Sequence, residues 1–158
     1  MIFRNATQAD VSTIVEMLTN DKLGRQRESL KDPLPQEYYD AFSKISSDPN
    51  QELIVVENDA QIVGTLQLSF IHYLTYRGGM RAQIEAVRIR ADQRNKGLGK
   101  ELFNWAIDRA KEKGAHIVQL TTDKKRPEAL KFYKLLGFEA SDEGMKLCLF
   151  SYFQFKEF

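Results

Sequence analysis

Apolar residues recur along the chain with two periods, and the switches between them mark the elements. After a short strand at Ile2 to Arg4, Thr7-Gln8-Ala9-Asp10 reads as a capping box. Val11, Ile14, Val15 and Leu18 follow at helical spacing and predict a helix from about Gln8 to Thr19. Asn20 to Pro35 is polar and holds Gly24, Pro33 and Pro35, which predicts a loop or a broken helix. Tyr38, Tyr39, Phe42 and Ile45 place a second helix at Gln36 to Ser46, ended by Asp48-Pro49-Asn50. The period then drops to two. Leu53 to Glu57 and Ile62 to Tyr73 read as strands joined by a turn at Asn58-Asp59, and Arg77-Gly78-Gly79 turns into a third at Arg81 to Arg90. From Gly97 the period is helical again, with Leu98, Leu102, Phe103, Ala106, Ile107 and Ala110 on one stripe that Gly114 stops. His116 to Thr121 is a short strand, Pro127 opens a helix carrying Ala129, Phe132, Tyr133 and Leu136, and Lys146 to Phe155 is an aromatic final strand.

Hairpins in the first half and crossover helices in the second predict an α/β (α+β) domain, a mixed sheet with helices on both faces. A length of 158 residues suits one domain, 1–158. Lys plus Arg number 23 and Asp plus Glu 22, a net charge of +1, so neither nucleic acid nor a membrane surface is expected as a partner. One cysteine, Cys148, excludes an internal disulfide, and it reads as a core residue. His72 and His116 are the only histidines and read as structural, so no metal is expected. No apolar run approaches the ~18 residues of a membrane span and no signal-like segment opens the chain, which leads us to expect a cytoplasmic protein. The tail residues Phe150, Tyr152, Phe153, Phe155 and Phe158 put apolar side chains on both faces of the last strand and predict a homodimer.

The stretch Val87 to Lys100 carries the candidate chemistry. A strand ends, a basic turn follows, and Gly97 and Gly99 open a helix whose first N–H groups have no intrahelical acceptor. Such a helix start binds phosphate oxygens, and Arg94, Lys96 and Lys100 add positive charge there. A Walker A loop fails, because Arg94 stands where its first glycine belongs and Glu101 where its hydroxyl residue belongs. A dinucleotide fingerprint fails at Leu102, where a third glycine is required. Arg-x-x-Gly-x-Gly, as Arg94, Gly97 and Gly99, does fit, and the alternative is a plain turn with solvated basic residues.

This loop resembles the pyrophosphate-binding loop of the GNAT N-acetyltransferase family. About thirty residues later Ala129-Leu130-Lys131-Phe132-Tyr133-Lys134-Leu135-Leu136-Gly137-Phe138 is similar to that family's second signature, Ala-x-x-Phe-Tyr-x-x-x-Gly-Phe. The resemblance covers roughly Leu53 to Phe138. It implies a sheet of six to seven strands flanked by about four helices, with two splayed parallel strands forming an acetyl-CoA cleft. It further implies transfer of an acetyl group from acetyl-CoA directly to a primary amine of a small molecule or peptide. Val87, Arg88 and Ile89 would serve the pantetheine arm, and Arg94, Asn95, Lys96, Gly97, Leu98, Gly99 and Lys100 the pyrophosphate.

Arg126 stands where the family often has an Asn; with Lys124 and Lys125 it would serve the nucleotide phosphates or form a solvated helix start. Tyr133 matches the family's general acid, since a phenol keeps its proton at neutral pH until a thiolate forms beside it. Its alternative role is an aromatic core residue. Glu85 sits where several members place a base that acts directly or through water, and alternation would put it on one face with Val87 and Ile89. Its alternative is an ion pair with Arg81 or Arg88. The acceptor region points to Arg25, Arg27, Glu28, Tyr38, Tyr73 and Tyr76. A rival reading, a non-catalytic acyl-CoA-binding regulatory module, needs neither proton donor nor acceptor.

Overall fold

The computed structural model describes residues 1–149 and divides into two compact units, Met1–Gln119 and a second from Leu120 onward. The first unit opens with β1 (Ile2–Asn5), then α1 (Val11–Thr19), the single turn α2 (Gly24–Arg27) and α3 (Gln36–Ser47). Strands β2 (Gln51–Asn58) and β3 (Gln61–His72) form a hairpin, the short turn α4 (Thr75–Gly78) leads into β4 (Met80–Ile89), and α5 (Leu98–Glu112) crosses to β5 (Ile117–Leu120). The second unit contains α6 (Pro127–Leu135). The longer elements lie within a few residues of where the periodicity puts them, while the single turns α2 and α4 fall where a loop or broken helix and a turn are expected.

The sheet runs in the order β1-β2-β3-β4-β5, with β1 through β4 antiparallel. The backbone N–H of His116 donates to the Met80 carbonyl at 2.9 Å, so β5 starts beside the start of β4 and the two run parallel. The sheet is therefore mixed, as hairpins followed by a crossover require. Among the described residues it has five strands, fewer than the six to seven expected. Lys146 to Leu149 form no strand, and the remainder of the expected final strand, with the aromatic tail behind the homodimer expectation, lies outside the described residues. Cys148 is exposed, which corrects its reading as a core residue.

Ile54, Val55 and Val56 are all buried, which an alternating strand permits only where both faces of the sheet are covered. The core couples them to Leu66 and Leu68 of β3, Ile84 of β4 and Leu102, Phe103 and Ala106 of α5. Asp10 holds the N-terminal corner. Its carboxylate accepts from the Thr7 N–H at 2.7 Å, closing the expected capping box, and also takes Arg4 Nη1 at 2.7 Å. Arg4 bonds Glu57 as well, tying β1, the helix start and β2 together.

Arg4 holds the Asp10 carboxyl below the ordinary carboxylate range. Its stabilising contribution is therefore complete above the unfolded pKa of ~4 and is lost as pH falls through the depressed folded value. Asp10→Ala is expected to cost about 2 kcal/mol in urea unfolding at neutral pH, and the gap to wild type should narrow in acid. An equal gap at all pH values would show that the ion pair contributes nothing.

Candidate active site

The basic loop begins where β4 ends. Asp92 is held ionised, with a pKa near 2, by Arg90, whose Nε lies 2.6 Å from it. That pair neutralises itself, whereas Arg94, Lys96 and Lys100 are exposed and pair with no carboxylate among the described residues. Arg94 Nε donates to the Ile89 carbonyl at 3.1 Å, which folds the loop back on the strand end. Asn95 and Gly97 are left-handed (φ 60° and 87°), and Gly97 is the N-cap of α5 with no side-chain cap. Glu101 is the first residue whose N–H reaches back, to the Gly97 carbonyl at 3.2 Å. The N–H groups of Leu98, Gly99 and Lys100 thus head a fifteen-residue helix with no cap in front of them. Nothing lies within 4 Å of where a Gly97 Cβ would stand, so the space before the helix is open to a ligand. Leu98 is buried and anchors this turn to the core while its N–H faces outward.

Strand β4 carries an irregularity that was not expected. Gln67 pairs with Glu85 but Thr65 with Arg88, so Ala86 and Val87 together oppose Leu66, and Ala86 is left-handed with φ 52°. This β-bulge shifts the alternation by one residue. Thr65 and Gln67 share a face of β3, and so Glu85 shares a face with Arg88, not with Val87 and Ile89. The expected apolar surroundings of Glu85 are accordingly absent: it is exposed and accepts from Gln83 Nε2 at 2.8 Å. Neither expected ion pair forms. The Arg88 guanidinium goes to Asp21 at 3.1 Å and to the Val87 carbonyl at 2.7 Å, while Arg81 goes to Gln119. With four residues against ten, β5 leaves the C-terminal half of β4, including the bulge, running past its end.

The acceptor residues divide. Tyr38 donates its hydroxyl to Glu28 at 2.9 Å and accepts the Ser29 N–H at 2.8 Å; burial, the leading cause, pushes the phenol up. This pair locks the end of α2 to α3, so both residues have a structural job. Glu28 also lines a cleft of about 460 Å³ with Arg25, Glu16 and Asn20. Arg27 is exposed and pairs with nothing among the described residues. A larger hollow of about 520 Å³ is lined by Arg4, Asp10, Glu57 and Arg90, whose charges are already paired. The basic loop is the better candidate because its cations are not.

Tyr73 and Tyr76 meet through Arg81, whose guanidinium carbon lies 4.8 Å and 5.8 Å from their ring centroids. His116, expected to be structural, is exposed and lies against the Tyr76 ring at 4.9 Å. The sequence reading gives Arg81 only as an ion-pair partner of Glu85 and singles out neither Gln83 nor Gln119. Arg81, Gln83 and Glu85 at two-residue spacing were a visible polar face on an otherwise apolar strand, and that signal would have found the first two.

In the second unit, Arg126 is the N-cap of α6, ahead of Pro127, and its N–H donates to the Asp123 carbonyl at 2.9 Å. Tyr133 is half-buried on α6, with its ring 5.7 Å from Phe132 and 6.2 Å from Phe138. The helix ends through Gly137 at φ 93°, as the Gly-Phe pair of the motif predicts.

Comparison with known proteins gives three kinds of likeness. Residues 16–138 match the acetyltransferase (GNAT) family. A structure described as a transcriptional regulator from Bacillus halodurans C-125 is 52% identical, with a TM-score of 0.91 and coverage of 94% of this chain and 99% of that one. An aminoalkylphosphonate N-acetyltransferase of Salmonella typhimurium is 26% identical over 87% of this chain and 84% of its own. A predicted acetyltransferase from Clostridium acetobutylicum, solved with acetyl-CoA, shares the fold at 24% identity and a TM-score of 0.72, covering 94% and 96% of the two chains.

Proposed function

The chain belongs to the acetyltransferase (GNAT) family, and on that premise we propose that it transfers the acetyl group of acetyl-CoA directly to a primary amine of a small molecule or peptide in the cytoplasm. The observation that carries this reading is the uncapped, left-handed glycine start of α5, beside which Arg94, Lys96 and Lys100 pair with no carboxylate among the described residues. Backbone N–H groups of Leu98, Gly99 and Lys100 would hold the pyrophosphate, with Arg94 and Lys96 screening its charge and Asn95 shaping the turn. The β4 backbone at Val87, Arg88 and Ile89 runs beyond β5 and would pair with the pantetheine arm. Arg126 would serve the phosphates of the nucleotide end.

When bound, acetyl-CoA supplies an activated thioester. Glu85, directly or through water, would take the proton of the attacking amine, and a backbone N–H near Val87 or Ile89 would meet the oxyanion. As the carbon–sulfur bond breaks, Tyr133 would give its proton to the departing sulfur. Exposure of Glu85 suits a base that acts through water. The Salmonella relative's name supports a small amine as acceptor.

An amine panel with thiol-release detection tests the proposal, and Glu85→Gln tests the base. The variant should lose about 10²-fold in kcat/KM while acetyl-CoA affinity is kept. A rate equal to wild type removes Glu85 from the mechanism. The regulatory-module reading draws on the description of the Bacillus halodurans structure. It predicts acetyl-CoA binding with no turnover of any amine and altered retention on DNA or a partner when acetyl-CoA is present.

A further inference from the structure

Arg4, Arg81, Arg88, Arg90 and Arg109 are half-buried, and four of them have a carboxylate at ion-pair distance: Asp10 and Glu57, Asp21, Asp92, and Glu52 with Glu112. Arg81 has none among the described residues. Its Nη1 donates to the neutral Gln119 amide at 3.0 Å, and its buried Nε has no hydrogen-bond partner among the described residues. A permanent cation taken partly out of water without a counter-charge is costly, and the faces of Tyr73 and Tyr76 offset only part of that cost. The surroundings nevertheless hold it rigidly. Tyr76 and Arg77 are both left-handed, with φ 52° and 57°, a conformation that strains side-chain-bearing residues. A Cβ on Gly79 would stand 2.7 Å from the His116 ring, so only glycine lets that ring close under Tyr76. Strain and close packing thus converge on fixing a guanidinium that no carboxylate among the described residues neutralises.

From Arg81 a line of hydrogen bonds runs along the same face of β4. Gln119 Nε2 donates to Gln83 Oε1 at 2.5 Å, and Gln83 Nε2 to Glu85 Oε1 at 2.8 Å. The face carries a cation at one end, a carboxylate at the other and neutral amides between. Resting on the acetyltransferase reading above, we propose that Arg81 is the anion receptor of the acceptor site, so that the amine presented at Glu85 belongs to a molecule that also carries a carboxylate, phosphonate or phosphate. The terminal Nη atoms make the end-on, two-pronged contact that such groups accept. Four residues of strand separate the two charged positions by about 13 Å at the backbone, which favours acceptors with several atoms between amine and anion over α-amino acids.

Matched amines test this on the full chain by thiol release: 4-aminobutyrate against n-butylamine, and phosphoethanolamine against ethanolamine. The anionic member of a pair should be favoured about tenfold or more in kcat/KM. Arg81→Gln should collapse that ratio toward one and Arg81→Lys should restore part of it, with acetyl-CoA affinity measured in parallel as the check on folding. A strut that merely joins β4 to β5 would change stability without changing the ratio. Preference for the neutral members, or a ratio unchanged in Arg81→Gln, overturns the proposal.

A second readout needs no turnover. The Arg81 Nε–H resonance, identified by its loss in Arg81→Gln, should shift saturably with methylphosphonate or propionate, and the larger response names the anion. The absence of any saturable shift overturns the receptor assignment. Failure of acetyl-CoA to bind would instead sink the acetyltransferase reading and leave the anion readout standing by itself.

Discussion

Replacing Tyr133 by Phe is expected to lower turnover by about 10²-fold or more while acetyl-CoA affinity stays within about twofold. The ring contacts of Tyr133 with Phe132 and Phe138 do not involve its hydroxyl, so phenylalanine keeps both of them. A fall in kcat without a matching change in cofactor binding is the signature of a group that acts in the transition state alone. Poorer leaving thiols need the proton more, so acyl donors whose thiols are more acidic should suffer less from the substitution. Unchanged turnover would return Tyr133 to a packing role. A parallel loss of unfolding free energy would show that its hydroxyl supports the helix.

Gly99→Val is expected to weaken acetyl-CoA binding by about 100-fold or more by putting a branched side chain where the pyrophosphate would approach the N–H groups of Leu98, Gly99 and Lys100. Gly99 is the second residue of α5, where valine is no worse than glycine as a helix former, and urea unfolding of the variant, measured in parallel, separates stability from binding. That separation is why Gly99 tests the loop better than Gly97, whose φ of 87° would strain any substitution and mix stability with binding. Cofactor affinity equal to wild type in a folded Gly99→Val protein would contradict the phosphate-binding assignment.

Where local period and turn chemistry suffice, the fold was legible in the residues. Leu98, Leu102, Phe103 and Ala106 mark the buried stripe of α5, Thr7 and Asp10 announce the first helix, and Gly97 and Gly137 sit at left-handed positions that their residue type favours. The bulge at Ala86 was not legible, because alanine carries no preference for a left-handed backbone. Only the register between β3 and β4 reveals it. Missing it grouped Glu85 with Val87 and Ile89, where the register groups it with Arg88. The contacts of Arg81 with Gln119 and of Tyr38 with Glu28 depend on where a crossover strand and a loop come to rest, which no local pattern encodes. The strand count fell short for a similar reason: residues 146–149 have strand-like composition but form no ladder among the described residues.

Calorimetric titration of acetyl-CoA into the protein, freed of bound nucleotide and with adenosine as the control, decides whether the chain takes this cofactor. Saturable one-to-one binding of acetyl-CoA is expected, with adenosine alone binding far more weakly because the pyrophosphate contacts at Gly97 to Lys100 are missing. A folded protein that takes up no acetyl-CoA would leave the α/β fold without the activity proposed for it.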